Sequence, residues 1–111
     1  MQWKTWYKTS LDSHWRVSVV QHGTNAKKIH IRYYNDQGLP TRLGISLTAE
    51  QYEWMSQLKF GIMSNLHVVP LPDRYLLFKE SVMGYVSGCS VPIAIINMIP
   101  ALYPKLAPFI E

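Results

Sequence analysis

A chain of 111 residues accommodates one compact domain and little more. Its 48% apolar content, with seven Tyr and four Trp, excludes a disordered chain. The single cysteine, Cys89, excludes an internal disulfide framework and a multi-cysteine zinc site, and it fits a reducing compartment. The net charge of +4 is uneven: residues 1–48 carry seven Lys/Arg against two acids, and residues 61–111 carry three against three. The first half therefore expects an anionic partner.

Residues 3–11 alternate as a first strand, with Trp3, Thr5 and Tyr7 on one side and Lys4, Trp6 and Lys8 on the other. After an Asp12-Ser13 turn, residues 15–20 form a second strand, with Trp15, Val17 and Val19 facing one way and Arg16, Ser18 and Val20 the other. His22-Gly23-Thr24-Asn25 turns the chain into a third strand over residues 28–34. There Ile29, Ile31 and Tyr33 want a core, and Lys28, His30, Arg32 and Tyr34 share the opposite face. Asn35-Asp36-Gln37-Gly38 leads to a fourth strand over residues 42–47. Leu43, Ile45 and Leu47 point inward, while Gly44 and Ser46 leave the outer surface open beside Arg42.

Thr48 caps a helix, and Gln51 completes a Thr-x-x-Gln capping box. Tyr52, Met55 and Leu58, with Ile62 beyond, recur at helical spacing, so the helix is predicted to run to about Phe60 and stop at Gly61. Pro70-Leu71-Pro72 reads as a rigid linker, and Asp73 as the cap of a second helix over residues 74–86. Beyond Gly88, Pro92 and Pro100 predict only short helical or extended pieces. Residues 82–104 lack charge over a length that could span a bilayer, but three prolines, two glycines and several polar residues interrupt them. A packed tail is therefore expected rather than a membrane span. The first ten residues contain no apolar run, so no targeting segment is expected there.

The face of Lys28, Arg32, Tyr34 and Arg42 carries the clearest chemistry. Lys and Arg neutralise phosphates, and rings on the same face can stack on unpaired bases. A duplex hides its base faces, so such a surface favours single strands. The competing view is a solvated sheet face. Lys27 is a further candidate phosphate contact, Arg16 extends the basic surface, and His30 sits on the same face. The four histidines are not spaced as ligand pairs, acids are too few for an acid/base couple, and no phosphate-cradling glycine loop occurs. No enzyme, metal or cofactor is expected. Trp54 is expected to pack on another subunit.

Residues 16–19 (Arg-Val-Ser-Val), 28–34 (Lys-Ile-His-Ile-Arg-Tyr-Tyr) and 40–52, which include Gly44-Ile45-Ser46-Leu47-Thr48-Ala49-Glu50-Gln51-Tyr52, are similar to the single-stranded-DNA-binding domain of the transcriptional coactivators called positive cofactor four. The resemblance covers about residues 14–60. It implies an α+β fold: a four-stranded curved antiparallel sheet followed by an amphipathic helix, dimerising through helices. It implies binding of single-stranded or unwound DNA with little sequence preference, in transcription or replication, with RNA left open. Arg32 matches the family's strand arginine, and Arg42 its basic residue before the Gly-Ile-Ser-Leu motif. The base-stacking aromatic falls at Tyr33 or Tyr34, and strand parity favours Tyr34. Lys27 and Lys28 fall at its lysine-rich turn.

The chain departs from that pattern at His22-Gly23-Thr24-Asn25-Ala26 and at Leu43, which removes expected turn contacts. The division expected is a binding domain over residues 1–62 and an apolar C-terminal extension over 63–111, packed on the domain or on a dimer mate. The expected location is the nucleus in a eukaryote, or the cytoplasm in a prokaryote or phage host, without secretion. The alternative is a protein-interaction or assembly module on the same fold, with weak or no nucleic-acid binding.

Overall fold

The computed structural model describes residues 2–84 and 86–110. Four strands form a first sheet in sequence order, each antiparallel to the next: β1 (Trp3–Ser10), β2 (Trp15–His22), β3 (Lys28–Tyr34) and β4 (Pro40–Leu47). Local chemistry sets the turns. The Asp12 carboxylate accepts the backbone N–H of His14 at 2.8 Å and of Trp15 at 2.6 Å, closing the β1–β2 turn. The Asn35 side-chain oxygen accepts from Gln37 and Leu39, and Gly38 takes a φ of +77° between β3 and β4. Strand alternation then buries Trp15, Val17, Val19, Ile29, Ile31, Ile45 and Leu47 on one face. Each such side chain contributes about 1.5–3 kcal/mol.

Two irregularities interrupt the ladders, and the first changes the expected facing. A bulge in β1 between Thr5 and Tyr7 turns its first half over. Trp3 and Thr5 pair with His22 and Val20 on the outer face, whereas Tyr7 pairs with Val19 and stacks inward on Phe109 at 5.0 Å. The common face expected for Trp3, Thr5 and Tyr7 is thus corrected, because the extra residue at Trp6 breaks the alternation. A second shift lies between Arg32 and Tyr34 opposite β4; there Leu43 keeps the core-side parity, lining a cleft with Trp15 and Tyr33, but is 52% exposed because the core does not reach it.

The helix α1 (Ala49–Met55) starts as predicted. Thr48 Oγ1 accepts the Gln51 N–H at 3.1 Å, and Gln51 Oε1 accepts the Thr48 N–H at 3.0 Å. Tyr52 and Met55 are buried. The helix ends early, at a Ser56 cap, and Leu58 adopts a φ of +54°. Gly61, expected as the stop signal, opens a strand at φ +108°, and Ile62 is 66% exposed. Trp54 packs partly buried against the core of its own chain.

The second half departs furthest from expectation. It forms a second antiparallel meander: β5 (Gly61–Met63), β6 (Leu66–Pro70), β7 (Arg74–Glu80) and β8 (Val86–Pro92). The helix expected over residues 74–86 is instead the inner strand β7, the turn after it and the first residue of β8; Tyr85 lies outside the described residues. The run Tyr75-Leu76-Leu77-Phe78 is apolar on both faces, and helical and strand periods look alike over so short a span. The Pro70-Leu71-Pro72 stretch is the end of β6 and a turn, in which the Leu71 N–H donates to Arg74 O at 2.8 Å.

Two helices follow, α2 (Ile93–Ile96) and α3 (Ile99–Ile110). A helix of 12 residues containing Pro104 and Pro108 corrects the expectation of short pieces alone. The prolines at 100, 104 and 108 recur every fourth residue and share one side of the helix. Pro104 and Pro108 are exposed, while Ile99, Leu102 and Leu106 are buried. The prolines, and with them the missing backbone N–H groups, therefore fall on the exposed side of the helix. No described helix is long and apolar enough to cross a membrane.

The fold is α+β: the described residues form two four-stranded antiparallel sheets and three helices. The sequence shows no repeat, yet the chain builds a meander followed by helix twice over. Leu66, Val68, Leu77, Cys89 and Val91 of the second sheet join the first sheet's buried face and the helices in one core. α3 lies against α1, β1 and β2, α1 against β3 and β4, and the edge strands β4 and β8 meet.

Candidate nucleic-acid interface

The face of the first sheet turned away from the core is where the basic side chains gather. Cross-strand register aligns Arg16, Arg32 and Gly44 in one row, Ser18, His30 and Ser46 in the next, and Val20 with Lys28 beyond. Lys8 and Ser10 join from β1, paired with Ser18 and Arg16. No acidic side chain occurs in these rows.

The expected residues fare differently. Arg32 lies half-buried on this face and donates through Nη1 to Thr41 O at 2.8 Å, which holds the guanidinium against the β3–β4 end. Tyr34 is on the face too, but the Arg16 guanidinium covers its ring at 4.2 Å. Tyr33 turns to the core side, stacked on His14 at 4.9 Å and edge-on to Trp15 at 5.5 Å. Arg42 is exposed, and Lys28 is half-exposed. Lys27 is drawn elsewhere: its Nζ donates to Phe109 O at 2.7 Å and sits 3.9 Å from the centre of the Trp6 ring. It lies just before β3 and ties the first sheet to the end of α3, which holds its ammonium away from the row of Lys28.

Two members of the surface escaped the sequence. Trp3 is 62% exposed and sits 4.7 Å from the His22 ring and 6.0 Å from the His30 ring, carried there by the β1 bulge. Lys79 arrives from β7 of the second sheet and donates to Ser46 O at 2.9 Å. No local sequence signal could have revealed either, since one depends on an inserted residue and the other on how two sheets meet. Gly44 also acquires a different reason. A Cβ there would lie 2.8 Å from Ile31 O and 3.1 Å from Arg32 Cα, so close approach of β4 to β3 requires glycine before any ligand does.

Burial first, and neighbouring cations second, set the protonation of two of these groups. His30 is held below its ordinary 6.5, first by burial and then by Arg32 and Lys79. Lys79 is lowered as well, by burial and then by Lys28. An anion laid over these groups would relieve that repulsion. Among the described residues no group of His, Cys, Asp or Glu could hold a metal ion. Burial pushes the Cys89 thiol up to about 11, which leaves it a poor nucleophile at neutral pH. Comparison with protein-family models, with curated proteins and with solved structures finds no match to this chain.

Proposed function

We propose that the outer face of the first sheet binds single-stranded or unwound DNA with little sequence preference, without catalysis, in support of transcription or replication. The observation that carries this is a continuous acid-free sheet face holding Lys28, His30, Arg32 and Arg42, with the exposed Trp3 ring at one end. The cations neutralise phosphates. Trp3 offers a stacking platform, and Tyr34 becomes a second one where a base displaces or sandwiches Arg16. The resemblance of residues 14–60 to the positive cofactor four domain supports the same reading.

The test is fluorescence anisotropy with a labelled oligothymidylate, its duplex and an oligouridylate across a salt series. Preference for the single strand, with affinity falling steeply as salt rises, is expected. Equal binding of single strand and duplex, or a Trp3→Ala/Arg32→Ala protein that binds like wild type, would overturn the proposal. Tighter oligouridylate binding would make RNA the ligand.

A second reading, assembly, is favoured by the outer face of the second sheet. Ile62, Val69, Leu76, Phe78 and Val86 form an apolar patch there, with Ile62 and Val86 well exposed. Its occupant would be a second copy of the chain. Arg74 and Glu80 lie at opposite ends of β7 on that face, so two copies packed with antiparallel β7 strands would set Arg74 of each against Glu80 of the other. Two chains of charge +4 would also meet there without opposing their basic faces. Sedimentation of wild type and Phe78→Glu decides it: a dimer reduced to monomer supports the reading, and a wild-type monomer removes it.

A further inference from the structure

Resting on the DNA-binding reading above, we infer that the cleft between the two sheets seats a backbone phosphate of the bound strand, with Lys79 as the second sheet's contribution to the site. The cleft encloses about 420 Å³, within the usual range of small-molecule sites, roughly 300–1,000 Å³. Arg32, Arg42 and Ser46 form its wall on the first sheet; Asn65, Lys79 and Ser87 form the wall opposite. Three cations thus converge on one space, and among the described residues no carboxylate lines it.

The donors are poised rather than consumed. Arg32 gives one hydrogen to Thr41 O and Lys79 one to Ser46 O, out of five and three available. Arg42 has no ion-pair partner among the described residues. Lys79 is the member that makes this a site between sheets. Its backbone belongs to β7, its ammonium rests on the edge of β4, and it shares with Lys28 the repulsion described above. Folding alone would be served by any neutral donor to Ser46 O. A cation at this point is explained by an anion in the cleft. A strand lying along the first sheet would then continue into the cleft, and both sheets would contribute to its path.

The experiment compares wild type with Lys79→Gln, Lys79→Arg and, as a control, Lys105→Gln on α3, using labelled oligothymidylate across a salt series. Gln keeps a donor for Ser46 O while removing the charge. For single strands each lost phosphate contact lowers the slope of log affinity against log salt by about 0.7. Lys79→Gln is expected to show that drop, with affinity about threefold to tenfold weaker at low salt, while Lys79→Arg and Lys105→Gln keep the wild-type slope. Ser87→Asp, which places a negative charge at the cleft, is expected to weaken binding without touching Lys79.

If Lys79→Gln and Ser87→Asp both bind like wild type while Arg32→Ala is weakened, the cleft inference fails and the sheet-face reading stands. If wild type shows neither single-strand preference nor salt dependence, both fall together. Competition with thymidine monophosphate and with inorganic phosphate separates the sources of the phosphate. Efficient displacement by either at millimolar concentration would assign the cleft to free nucleotide or free phosphate and overturn its place on a strand.

Discussion

The two sheets share a topology and differ in what they show to solvent. In the first, glycine on the last strand lies opposite Arg32; in the second, glycine on the last strand lies opposite Phe78. Gly44 and Gly88 thus occupy corresponding places, each letting an edge strand close tightly on its neighbour. Around Arg32 the outer rows hold Arg16, Lys28, His30 and Ser46. Around Phe78 they hold His67, Val69, Leu76 and Ser90, with the His67 ring stacked on Phe78 at 4.5 Å. The inner faces are alike because both serve one core. The outer faces are free of that demand, and there the side chains alone decide between a basic and an apolar surface.

The glycines offer the hardest test of this correspondence. A Cβ at Gly88 would fall on the Leu77 carbonyl oxygen and lie 2.6 Å from Phe78 Cα, whereas at Gly44 the nearest atom is at 2.8 Å. Backbone cannot yield as a flexible side chain can. Gly88→Ala is expected to cost about 3 kcal/mol or more and Gly44→Ala about 1–3 kcal/mol, measured by urea unfolding. The reverse order would show that the two edges are not equivalent.

The outer faces can be separated by function. Arg32→Ala is expected to weaken oligothymidylate binding by about tenfold to 150-fold, the equivalent of roughly 1.5–3 kcal/mol for a hydrogen bond to a charged group. Phe78→Ala is expected to leave that affinity unchanged. Loss of DNA binding in Phe78→Ala with the fold intact would mean that the apolar sheet, too, touches nucleic acid.

A smaller effect distinguishes the histidines on the two outer faces. The folded-state pKa of His30 is depressed below 6.5, so its proton binds the unfolded chain more readily. Its contribution to stability is present above about pH 6.5 and is lost as pH falls through the depressed value. Binding runs the other way, because phosphates favour the imidazolium. As pH falls from 7.5 to 5.5, the unliganded protein should lose stability relative to His30→Gln, while wild-type affinity for oligothymidylate rises relative to His30→Gln. His67→Gln on the second sheet should leave the binding profile as it is in wild type.

The core itself carries the smallest expected change. The Tyr52 hydroxyl is buried without a hydrogen-bond partner among the described residues. Tyr52→Phe should therefore be at least as stable as wild type, by up to about 1 kcal/mol, and should affect neither outer face. Destabilisation on thermal melting would show that the hydroxyl is held by a group such as ordered water.

Residues 15–20 and 28–34 were legible because alternation with one buried face admits a single register. Thr48 and Gln51 were legible because a capping box is complete within four residues. Residues 74–80 were not, since a short run that is apolar on both sides suits a central strand as well as a buried helix. Leu58 illustrates the same limit: its spacing fits the helix, but the chain has already turned away at Ser56. Within the candidate site, Lys28, His30, Arg32 and Arg42 could be placed by parity, whereas Lys27 lies just outside β3, where parity does not reach, and donates to Phe109 O.

Local sequence alone thus determined the strands of the first meander, their turns, the helix cap and the basic sign of one face. These follow from steric alternation and from hydrogen bonds that close within a few residues. Tertiary structure alone decided that the C-terminal half would be a second sheet sharing the core, that a bulge would carry Trp3 to the outer face, and that Lys79 would cross to Ser46. Such outcomes depend on groups far apart in the chain, which have no energy of interaction until packing brings them together.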